Sequence, residues 1–187
     1  MKKATLFFVQ GGGEGAYIAD KHLVSFLRNG LGTRYKIIYP KMPKESDPDY
    51  DIFETKIKQE VEKLEGDFML AGHSLGACFL LKYLSENKMD KNIVGLFLAS
   101  TPYWGEGGWQ FEGFSVNYKL VAKVTEGVPL FFYHSTTDET VPFSHLSLYK
   151  KIFPQAGFRE IIRPGHQMEN DLSEMVNDII SLSDSPE

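Results

Sequence analysis

Gly72-His73-Ser74-Leu75-Gly76 places a hydroxyl between an apolar run, Phe68 to Ala71, and a helix-compatible run, Leu75 to Leu84. A serine there sits on a sharp strand-to-helix turn, and the flanking glycines remove the Cβ atoms that would clash as the backbone closes around it. The next N–H, that of Leu75, points from a helix N-terminus toward the space where an attacked carbonyl develops negative charge. A serine hydroxyl is a weak nucleophile until a base takes its proton, and the base needs a third group to fix its tautomer and stabilise its cation. Of the five histidines, His166 has the strongest context, because Ile161-Ile162-Arg163-Pro164-Gly165-His166 reads as a strand ending in a turn before the last helix. In a parallel sheet that turn lies on the same rim as Ser74. His134, which follows the run Leu130–Tyr133, is the nearest rival; His73 is expected to point away from the serine, and His22 and His145 fall on helices. The acid is expected at Asp138, in a polar loop between the serine and the histidine, with Glu139 beside it reading as a surface charge. Asp138 taken alone would read as a turn or cap residue; Ser74 and His166 give it a catalytic reading.

An oxyanion site needs backbone donors, and the first strand ends in Gln10-Gly11-Gly12-Gly13-Glu14-Gly15. The Gly12 N–H is expected to partner that of Leu75, with Gly13 as the alternative; one such donor is worth about 3 kcal/mol of transition-state stabilisation. The same loop satisfies G-x-G-x-x-A through Gly11, Gly13 and Ala16, a dinucleotide fingerprint. That fingerprint requires an acidic residue at the end of the second strand to hold a ribose, whereas this strand closes with Tyr39-Pro40-Lys41. Lys41 would then have to face a phosphate, and Ser74, Asp138 and His166 would be left without a role.

The elements that must carry these residues alternate. β-rich runs at Thr5–Val9, Tyr35–Tyr39, Phe68–Ala71, Ile93–Ala99, Leu130–Tyr133 and Phe158–Ile162 are separated by helix-compatible stretches. Helices are expected at Ala16–Arg28, Asp51–Glu65, Leu75–Ser85, Phe143–Phe153 and Met168–Leu182. Strands that are continuously apolar imply a sheet covered on both faces, so the pattern predicts a three-layer α/β/α sandwich around six parallel strands. Leu75–Leu84 is apolar nearly all round, which predicts a buried helix behind the serine. Between Tyr103 and Gly127 the periodicity fails. Trp104, Trp109, Phe111, Phe114 and Tyr118 alternate with glycines there, and the segment reads either as a short lid or pocket wall, or as a connection whose aromatics pack back on the domain.

At 187 residues the chain fits one domain with a core of its own. The net charge of −5 is spread without like-charged blocks, which argues against a nucleic-acid partner. The single cysteine, Cys78, has no internal disulfide partner, fits a reducing cytoplasm and reads as a small buried hydrophobe. Met1-Lys2-Lys3 and the apolar stretch after it imitate a signal peptide poorly and read as the approach to the first strand, and no stretch reaches the ~18 apolar residues of a spanning helix. Ser183–Glu187 reads as a frayed tail. Clustered metal ligands are lacking, so neither metal nor cofactor is expected, and no protein partner is indicated.

With these residues in the order Ser74, Asp138, His166, the chain resembles the α/β-hydrolase superfamily over essentially its whole length. Within it, the chain is similar to the small serine hydrolases typified by the retinoblastoma-binding protein hydrolases, which lack the first two strands and any large cap. The similar stretches are Lys41-Met42-Pro43, Gly72-His73-Ser74, Ser135-Thr136-Thr137-Asp138 with Val141-Pro142, and Gly165-His166-Gln167-Met168-Glu169. Leu75 and the glycine-rich Tyr103–Gly127 segment depart from the pattern. The resemblance implies Ser74 as nucleophile, Asp138 as acid and His166 as base, on a minimal α/β-hydrolase fold. The expected activity is hydrolysis of a small carboxylester, thioester or amide through an acyl-enzyme. The alternatives are a non-catalytic binding protein on the same fold and a dinucleotide-binding protein using Gly11, Gly13 and Ala16.

Overall fold

A computed structural model describes residues 4–89 and 91–184. Six parallel strands form one sheet in the order β2-β1-β3-β4-β5-β6: β1 (Ala4–Val9), β2 (Tyr35–Ile38), β3 (Phe68–His73), β4 (Ile93–Ala99), β5 (Leu130–Ser135) and β6 (Gly157–Ile161). Six α-helices connect or follow them: α1 (Ala16–Leu31), α2 (Tyr50–Glu62), α3 (Ser74–Glu86), α4 (Tyr118–Val124), α5 (Ser144–Ile152) and α6 (Ser173–Asp184). Both faces of the sheet are buried. Phe7, Val9, Leu70, Leu98 and Phe132 point into one core with α2, α3, α4 and α5, while Leu6, Phe8, Met69, Phe97 and Tyr133 point into the other with α1 and α6. The period-2 alternation of side chains is present, but with apolar layers on both sides it gives the continuously hydrophobic strands seen in the sequence. Among the described residues no helix is long and apolar enough to cross a membrane.

The chain reverses its direction of travel across the sheet between β1 and β3, since β2 is added on one side of β1 and β3 on the other. Such a switch point opens a crevice at the carboxyl ends of the two strands. Val9 pairs with Gly72 there, so the glycine loop after β1 and the turn after β3 are neighbours.

Three expectations are corrected. Part of the irregular segment is helical: Asn117 caps α4, its Oδ1 accepting the Leu120 N–H at 3.1 Å, and Tyr118 and Val121 are buried on its inner face. The helix expected from Met168 begins only at Ser173. Met168, Glu169 and Asn170 have φ of 48°, 52° and 61°, a left-handed turn that no helix can continue through. Asp171 then accepts the Ser173 N–H at 2.8 Å and starts the helix afresh. β3 and β5 each run two residues farther than the apolar runs, because His73 and Ser135 keep the ladder while carrying polar side chains. α6 reaches Asp184, and the rest of the expected tail lies outside the described residues.

Close approach explains the glycines around Ser74. A Cβ on Gly72 would stand 2.8 Å from the Ala77 Cα, and one on Gly76 would land on the Gln10 carbonyl oxygen. The start of α3 is thus pressed against the end of β1 at backbone distance. Gly76→Ala is expected to destabilise the protein by about 1–3 kcal/mol by overpacking, read as a lower urea midpoint at unchanged m-value; a neutral effect would contradict the contact.

Candidate active site

Ser74 adopts φ of 53°, the left-handed conformation that a non-glycine residue holds only when its surroundings fix it, at a cost of about 1–3 kcal/mol. The fixing contacts are the glycine approaches just described. His73, at the N-cap of α3, supplies no side-chain cap, so the N–H groups of the first turn, that of Leu75 among them, keep their donor capacity.

His166 and Asp138 meet across two loops. The Nδ1 of His166 lies 2.8 Å from Asp138 Oδ2 and 3.0 Å from Oδ1. Burial alone would raise the Asp138 pKa, but its hydrogen bond and charge interaction with His166, together with the N–H groups of Val141 at 2.8 Å and Thr140 at 2.9 Å, hold it below the usual carboxylate value. An ionised carboxylate accepts only, so Nδ1 carries the proton and Nε2 is the ring's remaining face. The Asp138 side chain is fully buried, whereas that of His166 is 13% exposed. His166 and Ser74 line the same cleft of about 200 Å³, with Gly11 and Gly12 on its wall.

In the glycine loop, Gly13 donates its N–H to the Glu45 carbonyl at 2.6 Å and Gly11 donates to Asp20 Oδ2 at 2.7 Å. Both are committed within the protein, which leaves Gly12 as the donor of that run, beside Leu75; a Cβ on Gly12 would lie 2.7 Å from Leu75 Cδ2. The dinucleotide alternative meets an occupied phosphate position. Glu45 Oε2 accepts the Tyr17 N–H at 2.7 Å at the N-terminus of α1, and Lys41 pairs with Glu45 Oε1 at 2.9 Å rather than facing an open anion site.

The rival residues are otherwise engaged, although His134 Nε2 also lies 3.5 Å from Asp138 Oδ2. His134 is buried and its Nε2 donates to the Val141 carbonyl at 2.9 Å; burial holds its pKa below the usual value. His145 accepts the Tyr103 N–H on Nδ1 at 2.9 Å, and its pKa is likewise lowered by burial. His22 lies on α1 as expected. Glu139 is exposed. Cys78 is fully buried in α3, and burial pushes its thiol up, so it offers no competing sulfur nucleophile.

His73 belongs to a buried network that the sequence does not announce, and it lines the cleft beside Ser74. Its Nδ1 lies 2.9 Å from Asp20 Oδ1 and its Nε2 lies 3.1 Å from the His166 carbonyl oxygen. The carbonyl oxygen only accepts, so Nε2 carries hydrogen, and the Asp20 carboxylate stands at ion-pair distance from Nδ1. Burial would favour the neutral ring, but the Asp20 carboxylate overrides it and holds the His73 pKa above the ordinary histidine value. Asp20, burial notwithstanding, is held low by His73, Gln167 and the Gly11 N–H. Gln167 Nε2 donates to Asp20 Oδ1 at 3.0 Å, and Ser100 Oγ donates to the His166 carbonyl at 2.9 Å. Asp20, Ser100 and Gln167 therefore join the predicted residues as parts of the site. Asp20 has a readable signal: it occupies the same helical stripe as Leu23, Val24, Leu27 and Leu31, all buried, and a charge on an apolar stripe needs a buried partner.

The sign of each shift fixes the pH window of this pair. Asp20 is depressed, so its contribution to stability is whole above the unfolded value of about 3.9 and is lost as pH falls through the folded value. His73 is raised, so its contribution is whole below about 6.5 and is lost as pH rises through the folded value. Asp20→Asn is expected to cost on the order of 3–5 kcal/mol between about pH 4 and 6.5, and progressively less at higher pH. Urea denaturation of both proteins at stepped pH checks this, and a difference that stays flat into the alkaline range would contradict a charged pair.

No protein-family profile and no curated protein matches the chain. Solved structures do. The ydeN gene product from B. subtilis superposes with a TM-score of 0.72 at 17% identity, over 98% of this chain and 100% of that one. Est1E from Butyrivibrio proteoclasticus gives 0.68 at 15% identity over 98% and 90%, and a putative ydeN-like hydrolase from Pectobacterium atrosepticum gives 0.67 at 15% over 97% and 91%. With its six-stranded parallel sheet, its layers of helices and this likeness across nearly the whole chain, the protein has the α/β-hydrolase fold.

Proposed function

We propose that the protein is a serine hydrolase that cleaves a carboxylic ester by acyl transfer, of the small cap-less kind its motifs resemble. One observation carries this reading: a buried, ionised Asp138 holds the Nδ1 of His166, while His166 and a left-handed Ser74 share one cleft. Proteins of the same fold bear the names esterase and hydrolase, which agrees with this choice of chemistry.

Ser74 Oγ bonds to the carbonyl carbon as its proton passes to His166 Nε2, and Asp138 stabilises the resulting imidazolium. Negative charge on the carbonyl oxygen is met by the N–H groups of Gly12 and Leu75, the second reinforced by the positive end of α3. When the tetrahedral centre collapses, the bond to the alkoxy oxygen breaks and that oxygen takes the proton from Nε2. Water repeats the sequence on the acyl-serine and releases the acid, so each turnover consumes one ester and one water. A thioester would follow the same course with a thiol as leaving group.

A fluorophosphonate probe is expected to label Ser74, and Ser74→Ala to abolish both labelling and hydrolysis of p-nitrophenyl butyrate. Asp138→Asn should lower kcat by about 10³–10⁴, because an amide in that position no longer fixes the productive tautomer. A wild-type protein inert toward both the probe and the ester would sink the reading.

A further inference from the structure

Ser74 stands at the junction of two cavities that differ in size and chemistry. On the side of α1, toward Gly15, Ala16 and Ala19, lies the cleft of about 200 Å³ that His166 borders. On the side of Leu75 lies a chamber of about 730 Å³ walled by Tyr50, Phe79, Trp104, Trp109 and Phe114. Gly12 borders both. The chamber's rings meet one another edge-on: Tyr50 on Phe79 at 5.4 Å, Trp104 on Phe114 at 5.0 Å and Trp104 on Trp109 at 5.5 Å. Aromatic walls in that arrangement present both edges and faces, which suits a further ring. The cation in the wall is already engaged. Lys82 Nζ bonds Glu86 at 2.5 Å and the Ser115 carbonyl at 3.1 Å, and it lies over the Tyr50 ring at 4.7 Å. A carboxylate on the ligand would find no free cation there and would meet Asp49, Asp51, Glu86 and Glu112 in the lining, so the chamber disfavours an anionic group.

The direction of acyl transfer assigns the two halves of an ester to these two spaces. The departing oxygen must take its proton from the imidazole, so the alcohol half leaves on the side that His166 borders. The carbonyl oxygen faces Gly12 and Leu75. The remaining substituent on the reacting carbon is the acyl chain, and the space left to it is the chamber, which Ser74 borders and His166 does not. At roughly 30 Å³ per water-sized group, the cleft holds about half a dozen heavy atoms, some of them belonging to the reacting carboxyl itself. The chamber lies in the range of pockets that enclose a ring-bearing ligand.

Building on the assignment of Ser74, His166 and Asp138 above, we infer that the substrates are esters of small alcohols, of about one to three carbons, whose bulky acyl groups carry an aromatic ring and no negative charge.

Two isomeric esters test the assignment on the unmodified protein. Methyl 4-phenylbutanoate carries its ring on the acyl side, and 3-phenylpropyl acetate carries the same ring on the alcohol side. The methyl ester is expected to have the higher kcat/KM by at least about tenfold, since even one misplaced methylene is worth about 10–200-fold in an apolar pocket. Ala19→Leu, which narrows only the cleft, is expected to lower kcat/KM for butyl 4-phenylbutanoate at least about tenfold more than for the methyl ester. A ratio near one or reversed overturns the assignment while leaving serine chemistry intact. So does a protein that labels with fluorophosphonate but cleaves neither isomer. Failure of both esters together with failure of labelling removes the underlying reading as well.

Discussion

A carboxylate that water cannot reach ties the working parts of this protein together. Asp20 is 1% exposed, and it takes a hydrogen bond from the glycine loop after β1 through Gly11, an ion pair from the end of β3 through His73, and a hydrogen bond from the loop after β6 through Gln167. Those are the three segments that bring Gly12, Ser74 and His166 to the lining of one cleft. A buried ion pair adds little net stability compared with a well-packed apolar substitute, but losing one partner strands a charge. The arrangement therefore tolerates no partial version of itself, and its geometry is specified at the expense of versatility.

Two aspartate–histidine pairs stand side by side with opposite duties. In one, Asp138 holds a ring that is 13% exposed and borders the cleft, which leaves Nε2 open, as the proposed mechanism requires. In the other, Asp20 holds a fully buried ring whose second nitrogen is spent on the backbone oxygen of His166. The ring centroids of the two histidines are only 4.7 Å apart. The same residue types thus leave one nitrogen open in the first pair and engage both in the second, which is the difference the proposed mechanism relies on.

Much of this architecture was legible in the sequence because it rests on local signals. Continuous apolar runs marked the six strands, and the glycines around Ser74 marked a turn that only glycine permits. The less legible parts depend on distant neighbours. The helix at Tyr118–Val124 is shorter than two full turns of reliable periodicity, and its cap, Asn117, lies in a stretch dominated by glycine and aromatics. The break at Met168–Asn170 uses left-handed conformations at residues that carry side chains, which no propensity forecasts. The role of Ser100 appears only once the fold brings the end of β4 beneath the His166 carbonyl. The Gly11–Ala16 fingerprint was misleading in isolation, since Glu45, far along the chain, fills the place a phosphate would take.

That filling has an electrostatic consequence. Two helices begin at the rim beside the cleft, and both carry a partial positive charge at their first turn. Glu45 cancels the one on α1, whereas α3 has no side-chain acceptor at its start. Resting anions such as inorganic phosphate or a nucleotide tail therefore lack a second point of attachment and have little reason to linger. Under the proposed mechanism, a transient negative charge on the carbonyl oxygen of a substrate bonded to Ser74 meets the Gly12 N–H and the uncancelled start of α3, so the uneven pair of helix ends favours a charge formed at that oxygen over a resting anion.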